Sequence, residues 1–548
     1  MTMKRKILLV VSLFLAFAMM FSACKTTGQN NDSDGKKILN MNSQSNPGSL
    51  HPALAQGTHE SIILDHVFEG LTKRTPEGKI VAGMAKDWKT SADNLTYTFT
   101  LRDGIKWSNG DPVTAQDFEY AWKYALNPLT ASDYAFQLYY LAGGAEFNSA
   151  DPEKIDGDGL KALEDKVGVK ALNDTTLEVK LAQPTPYFLE LCAFYTYYPV
   201  DKKVQEANAE WANDGSTHVS NGPFKIVEWN QKSNIVVKKN EYYYNAKEIK
   251  LDGIDFAMTA DNTSAWLSYE SGNLDVDFNL PPDVLAKLRE ENNPDLTIGS
   301  ELAVYFYRFN TTVKPFDNLK IRQALSMAID RQTIVDKVAQ GGQNLAFGLV
   351  PPGIPMPDGK DYQKTVGNYF KEDVEKAKQL LKEGLAESGM NSLSFTILYN
   401  TDEGHKAIAQ AVQEMWRNNL GVEVQLENTD FQVKIDREHA LDYQVSRAGW
   451  IGDYVDPMTF LDMWASESTQ NDTGWTDENF DKYIQKAKTE FDQTKRFESM
   501  KQAEALFMKD LPVMPIYFYT RPYVVKPNVK GIFKVVNRDV SAIYADIE

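Results

Sequence analysis

The sequence predicts an α/β protein of several domains, and three observations carry that expectation. At 548 residues the chain is longer than one hydrophobic core serves, so two to four domains are expected. Residues 393–427 carry a βαβ pattern. A strand at 394–399 is followed by a helix at 404–420, with Ile408, Ala411, Val412, Met415 and Trp416 on one face, and then by a strand at 422–426. Gly421 supplies the left-handed stop such a helix needs, and the unit requires a parallel strand pair with a right-handed crossover. Finally, no repeat of roughly 20 to 50 residues is visible, which argues against a solenoid or propeller.

The remaining elements follow from the same periodicities. Strands are expected at 95–101, 176–181, 224–229 and 234–239, where β-formers dominate. Ile321, Ala324, Leu325, Ala328 and Ile329 share one helical face and predict a helix over 321–339. Further helices are expected at 372–382, 477–489 and 495–509.

Composition narrows the class. There are 58 Lys plus Arg against 76 Asp plus Glu, a formal charge of −18, and such a surface repels a phosphate backbone. Nucleic acid is therefore not an expected partner. With 43% hydrophobic and 24% charged residues the chain is globular rather than disordered. Its aromatic residues suit a core, and equally a binding surface.

The amino terminus reads as an export signal. Lys4, Arg5 and Lys6 precede an apolar run at 7–21 broken only by Ser12, too short for a membrane span. Phe21, Ser22, Ala23 and Cys24 are similar to the lipobox of bacterial lipoproteins, with Phe where Leu is usual. Cleavage after Ala23 and acylation of Cys24 are expected, with an uncleaved anchor as the alternative. Removing the three basic residues takes the formal charge from −18 to −21. Residues 24–37 read as a flexible tether without bulky apolar side chains. Cys192 is then the one cysteine of the body. It sits in an apolar stretch and reads as an inert core thiol rather than a nucleophile.

Enzyme signatures fail individually. There is no G-x-S-x-G elbow, no Walker loop and no H-E-x-x-H, and the six histidines are scattered. Gly157, Gly159 and Ala162 fit G-x-G-x-x-A superficially but follow no apolar strand. Asp156 and Asp158 lack the other ligands of a calcium loop and read as a solvated turn. A glycosidase pair of carboxylates is not excluded by counting, and nothing singles one out. No metal and no cofactor is expected.

Residues 446–454, SRAGWIGDY, stand apart. A strand at 443–445 leads into Arg447, Trp450 and Asp453, a cation, a large aromatic and an anion in close succession. Arg447 suits a carboxylate, which its planar fork grips, and Asp453 suits an ammonium group. Gly449 and Gly452 remove side chains where another backbone could approach, as in peptide binding by strand addition. An internal Arg–Asp ion pair beside a core Trp is the alternative. His405, in the turn between strand and helix of the βαβ unit, lies on the side where open α/β sheets bind ligands.

Here the chain resembles the extracellular solute-binding proteins of peptide ABC importers, in particular the oligopeptide-binding proteins. RAGWIGDY is similar to that family's R-A-G-W-x-x-D-Y. The resemblance continues through DHVFEGL at 65–71, LRDGIKWSNG at 101–110, VTAQDF at 113–118, NGPFK at 221–225 and IRQAL at 321–325. It implies a periplasmic-binding-protein-like fold of two lobes with an extra domain, enclosing the ligand between the lobes. Domain I would comprise 38–68, 199–302 and 521–548, domain II 69–198, and domain III 303–520.

The resemblance also implies roles. Asp453 would take the peptide's α-amino group, and Gly449, Trp450 and Ile451 would pair with its backbone. Gln56, Gly57 and Thr58 would border it opposite. Arg447 and His405 would meet C-terminal carboxylates of peptides of different length, and Tyr134, Phe431 and Tyr519 would line the groove. Four positions depart from the family. Gln56 replaces a Glu, Ile451 replaces a Cys, and Arg308 stands where an acid lies near a side-chain pocket. Arg437, before Glu438 and His439, is one step out of register. Arg308 suggests tolerance of an acidic peptide side chain.

The implied protein is a lipid-anchored monomer on the outer face of the bacterial cytoplasmic membrane. It is not an enzyme. It would hand short peptides to a permease with ATPase subunits. The alternative is a receptor of the same fold for another solute, namely a dipeptide, a signalling peptide, a metal chelate or a sugar.

Overall fold

β1 (Ile38–Asn42) and α1 (Thr58–Val67) open the body of the chain. The computed structural model describes residues 36–548 apart from Gln56, Thr469 and Arg538, and omits the side chains of Thr58, Phe431 and Gln432. The export signal, Cys24 and most of the tether thus lie outside the described residues. Among the described residues no helix is long and apolar enough to cross a membrane.

A small antiparallel sheet follows, with β2 (Ala85–Thr90), β3 (Thr96–Leu101), β4 (Val169–Asn173) and β5 (Thr176–Lys180) in the order β2-β3-β5-β4. Alternation in β3 buries Tyr97, Phe99 and Leu101 on one face. Inserted between β3 and β4, α2 (Ala115–Leu126) starts at a reciprocal Thr114–Asp117 capping box and buries Phe118, Ala121 and Trp122.

The later strands are β6 (Phe224–Asn230), β7 (Asn234–Lys239), β8 (Gly253–Ala257), β9 (Val276–Asp277), β10 (Leu296–Phe309), β11 (Ser394–Asn400), β12 (Glu423–Thr429), β13 (Val445–Ile451) and β14 (Val513–Val525). With β1 and the short strand Asn344–Leu345 they form a sheet of eleven strands among those described. The order is β12-β11-β13-β10-β14-β9-β1-β8-β7-β6, and the short strand Asn344–Leu345 pairs with β14 off that path. The strand expected at 443–445 begins only at Val445, as β13, which runs through the whole Arg447–Ile451 stretch.

Helices begin where aspartates cap them. α4 (Val374–Ser388), α5 (Glu403–Leu420), α7 (Glu478–Thr489) and α8 (Gln493–Asp510) are capped by Asp373, Asp402, Asp477 and Asp492. α6 (Phe431–His439) follows β12. The helix expected over 321–339 is broken. α3 (Leu319–Met327) stops, and a π-helical stretch, Ile334–Ala339, ends the segment. Asp330 caps the Thr333 N–H, and Arg331 is drawn inside to donate to Pro515 O at 2.8 Å and Ser326 O at 3.1 Å. Those bonds hold the chain out of helical phase between the two pieces.

The βαβ unit has the expected form. β11 and β12 are parallel over their length, and α5 ends at Gly421 with φ 67°. Asp156 and Gly157 are also explained, because Asp156 caps the helix Gly157–Glu164 through the Gly159 N–H. Cys192 is fully buried, and burial raises its thiol pKa well above the ordinary value. Both facts fit an inert thiol.

Buried Trp416 of α5 packs edge-on to Phe395 and donates to Leu325 O at 2.8 Å, tying α5 to β11 and α3. Trp416→Ala empties that site and orphans a carbonyl. A loss of about 3–5 kcal/mol of unfolding free energy is expected by urea denaturation.

β10 and β14 are the long strands at the centre of the sheet, and they carry its main irregularity. Leu296–Ser300 pair with Thr520–Val524 and Val304–Arg308 with Val513–Phe518, with a register shift between Ser300 and Val304. On one side of this irregularity β14 joins β9, and on the other β10 joins β13. Leu302 N donates across to Val536 O at 2.6 Å at the same level.

Candidate functional site

β13 pairs with β10 along its whole length, Val445 to Ile451, but with β11 only at Val445 and Ser446. Beyond Ser446 that second edge carries no strand among the described residues. The antiparallel register fixes which backbone groups it exposes. Gly452 N donates to Leu302 O at 2.7 Å and Asn310 N to Gln444 O at 3.0 Å. Bonded pairs recur every second residue, so 446, 448, 450 and 452 direct their N–H and C=O groups to β10. Gly449 and Ile451 direct theirs to the open edge. Ile451 is 56% exposed there.

At one end of this edge sits a basic cluster. Arg447 lies over the Tyr305 ring at 4.7 Å and donates to Tyr519 Oη at 2.8 Å and Asn400 Oδ1 at 3.4 Å. These bonds align the guanidinium, and its Nε has no partner among the described residues. Arg447 makes no ion pair with Asp453, which stands past the other end of the strand, so that alternative is discarded. His405 is in the first turn of α5, not in the preceding turn, and its N–H is capped by Asp402 at 2.8 Å. Its ring packs on Tyr305 at 5.6 Å. The cluster lies beyond the carboxyl end of β11, where the βαβ reading expected a ligand.

His405 has its pKa lowered to about 4, first by burial and then by Arg447, against a smaller pull from Asp402. It is neutral at pH 7. The unfolded chain takes up this proton near pH 6.5 and the native state only near 4, so stability falls as pH drops through that window. His51, His66 and His218 act with the same sign, while Asp117, Asp277 and Asp462, raised to about 6 by burial, act oppositely. Subtraction isolates one group. His405→Gln is expected to reduce the loss of unfolding free energy between pH 7 and pH 5 by about 2 kcal/mol, measured in urea.

At the other end, Thr459 Oγ1 accepts from Asp453 N at 3.2 Å and from Trp450 Nε1 at 3.4 Å, fixing strand end and indole together. Asn537 Nδ2 donates to Asp453 O at 3.4 Å, and nearby Asp539 accepts from Ser61 Oγ at 3.2 Å. Ser61 lies near the start of α1, whose first residue is Thr58 and whose N-cap is Gly57. Gln56 lies outside the described residues. Tyr134 is half-buried against Phe136, Phe194 and Tyr195. Phe431 opens α6, and its side chain is not described.

The segment after Asp453 meets the region around the small sheet. Tyr454 stacks on Tyr187 at 4.1 Å and 7°, and Val455 N donates to Glu190 Oε2 at 3.3 Å. Arg496 holds Asp456 bidentately at 2.6 and 2.8 Å. Residues distant in sequence thus close around one end of the open edge.

Two expectations are corrected. Arg308 is not an unpaired charge awaiting an acidic side chain of a peptide. It is buried and paired with Asp472, with Glu438 at 3.7 Å, so its charge is neutralised within the protein. Gly452 does not make room for a foreign backbone, because a Cβ there would meet Leu302 at 2.7 Å and Phe460 at 3.0 Å. At Gly449 a Cβ would meet Val304 O at 3.1 Å. Arg437 is bound to Glu427 and Asp442 on the surface. Sequence reasoning missed Tyr305 and Asn400, which orient Arg447. Tyr305 lies in an unbroken buried run, Leu302 to Phe309, and gives no signal of its own.

An α/β fold with one large mixed sheet and a small antiparallel sheet, and an unpaired strand edge between a basic cluster and an acid, is that of an extracellular solute receptor. Residues 79–472 match the family model described as bacterial extracellular solute-binding proteins, family 5, middle. The chain belongs to that family. It is 44% identical over 540 residues to the oligopeptide-binding protein OppA of Bacillus subtilis, covering 95% of this chain and 96% of that protein. Among solved structures it is similar to the substrate-binding domain of an oligopeptide ABC transporter from Bacillus anthracis. The identity is 33%, the TM-score 0.78, and 94% of this chain and 99% of that one are covered. It is also similar to Haemophilus influenzae OppA in complex with the peptide RPPGFSPFR, at 31% identity and TM-score 0.75, covering 91% and 96%.

Proposed function

We propose that this protein is a high-affinity extracytoplasmic receptor that binds short peptides by backbone and termini and delivers them to an ABC importer. The observation that carries the reading is the unpaired edge of β13 between Arg447 and Asp453. An extended peptide adds there as a strand, using the backbone groups of Gly449 and Ile451. Its ammonium group meets Asp453, and its carboxylate meets Arg447 or, at another length, His405. Trp450, Tyr134, Phe431 and Tyr519 line the groove, and Gln56, Gly57 and Thr58 border it. Backbone and termini are common to all peptides, so side chains can be left to roomy, wet pockets and many sequences accepted.

Enclosure follows from the same layout. Domain I is 38–68, 199–302 and 521–548, domain II is 69–198, and domain III is 303–520. The joins of I and III fall at the register irregularity of β10 and β14, where bending breaks fewest ladder bonds. Contacts available only when both lobes touch the peptide shift the population toward the closed form. Cys24, cleaved and acylated, anchors the monomeric receptor beside its permease. The chain returns its ligand unaltered and is not an enzyme.

Native mass spectrometry of the delipidated protein, before and after mild denaturation, tests this directly. A ladder of short-peptide masses is expected. One discrete non-peptide mass would overturn the reading in favour of another solute. Peptides blocked at the amino end should bind far more weakly in calorimetry.

A further inference from the structure

Beside the Asp453 end of the open edge lies a cavity of about 450 Å³, lined among others by Trp450, Asp453, Tyr454, Asp462, Glu467 and Lys488. Trp450 and Tyr454 give it flat aromatic wall, and its charged lining holds three acids against one base. The half-buried Asp462 carboxylate receives no side-chain hydrogen bond and makes no ion pair with Lys488 among the described residues. It follows the short helix Met458–Leu461, whose Thr459 fixes Asp453 and Trp450, so it belongs to the same rigid segment.

We infer that this cavity takes the side chain of a bound peptide's first residue and favours a cationic one, Lys or Arg, with Asp462 as its partner. The inference rests on the peptide reading above. An ammonium held at Asp453 places the first side chain at the mouth of this cavity. The stem of Lys or Arg lies along the aromatic wall while its charged head reaches Asp462. An ionised acid without an ion pair is costly to keep out of water, and a cation delivered by the ligand offsets that cost. Burial raises the Asp462 pKa to about 6, with Asp456 adding to it while Lys488 and the backbone N–H groups of Met463 and Asp462 pull it down. An acidic first residue would meet like charge.

The test is calorimetric titration of Xaa-Ala-Ala with Xaa as Ala, Lys, norleucine or Glu. Lysine and norleucine share an unbranched stem and differ in charge. The wild-type protein is expected to bind the Lys peptide about tenfold more tightly than the norleucine peptide, the size of one charge-assisted hydrogen bond, and the Glu peptide more weakly than either. In Asp462→Asn the Lys-to-norleucine ratio should fall to near one. In Lys488→Gln it should widen, which serves as the readout should the first variant not fold. Equal wild-type affinities for Lys and norleucine, or a ratio that survives in Asp462→Asn, overturn the inference and leave the peptide reading intact. Failure of every tripeptide, Ala-Ala-Ala included, overturns both.

Discussion

Replacing Asp453 by asparagine is expected to weaken binding of a free tripeptide by about 10²–10³-fold, in a protein whose unfolding curve is little changed. The magnitude follows from what is left behind. An ammonium group enclosed with its counter-charge deleted costs about 3–5 kcal/mol, more than the net worth of the pair itself. The change to asparagine keeps the backbone bonds that hold Asp453, from its N–H to Thr459 at 3.2 Å and to its C=O from Asn537 at 3.4 Å. A double-mutant cycle sharpens the measurement. Acetylating the peptide removes the ammonium, so an acetylated peptide should lose little more when Asp453 is also changed. Calorimetry on the four combinations gives the coupling directly. Additive losses, or a folded Asp453→Asn protein that binds as the wild type does, would remove Asp453 from the site.

Much of this arrangement was legible in the sequence because its signals are local. The change of period from 2 to 3.6 and back across 394–429, with Asp402 before the helix and Gly421 after it, specifies a βαβ unit on its own. The position of the β11 carboxyl end follows, and His405 differs from expectation only in lying in the first turn of the helix rather than before it. The spacing of Arg447, Trp450 and Asp453 likewise lies within one stretch of chain. What escaped the sequence depends on partners far along it. Arg308 looked available to a ligand because Asp472, 164 residues away, and Glu438 are invisible at its own position. The interruption after α3 comes from Arg331 reaching Pro515, 184 residues on. The space at Gly452 serves Leu302 and Phe460 and no outside chain. Periodicity reports which face of an element is buried and is silent about what covers it, so local architecture is read well and charge partners poorly.

The register of β13 allows the strand-addition reading to be tested with proline alone, one residue apart. Ile451 directs its N–H to the open edge, and Trp450 directs its N–H to Val304 of β10, as the parity set by Gly452 and Leu302 requires. Proline deletes the N–H and puts a ring carbon in its place. At Ile451 the ladder to β10 stays whole, and proline is tolerated on a strand edge that faces away from its partner. Ile451→Pro should therefore fold with a near-normal Tm and lose at least tenfold in peptide affinity. One backbone bond is worth about 0.5–1.5 kcal/mol, and the ring also occupies the space of the incoming strand. At Trp450 the same change removes a ladder bond inside the sheet, where proline is not accommodated, and should lower the Tm clearly. The two variants thus separate folding from binding with the same chemistry. Wild-type affinity in Ile451→Pro would mean that the ligand does not pair with this edge, whatever Asp453 contributes. Should Ile451→Pro unfold while Trp450→Pro stays folded, the parity itself is reversed, and the backbone of Trp450 rather than that of Gly449 and Ile451 would face the ligand.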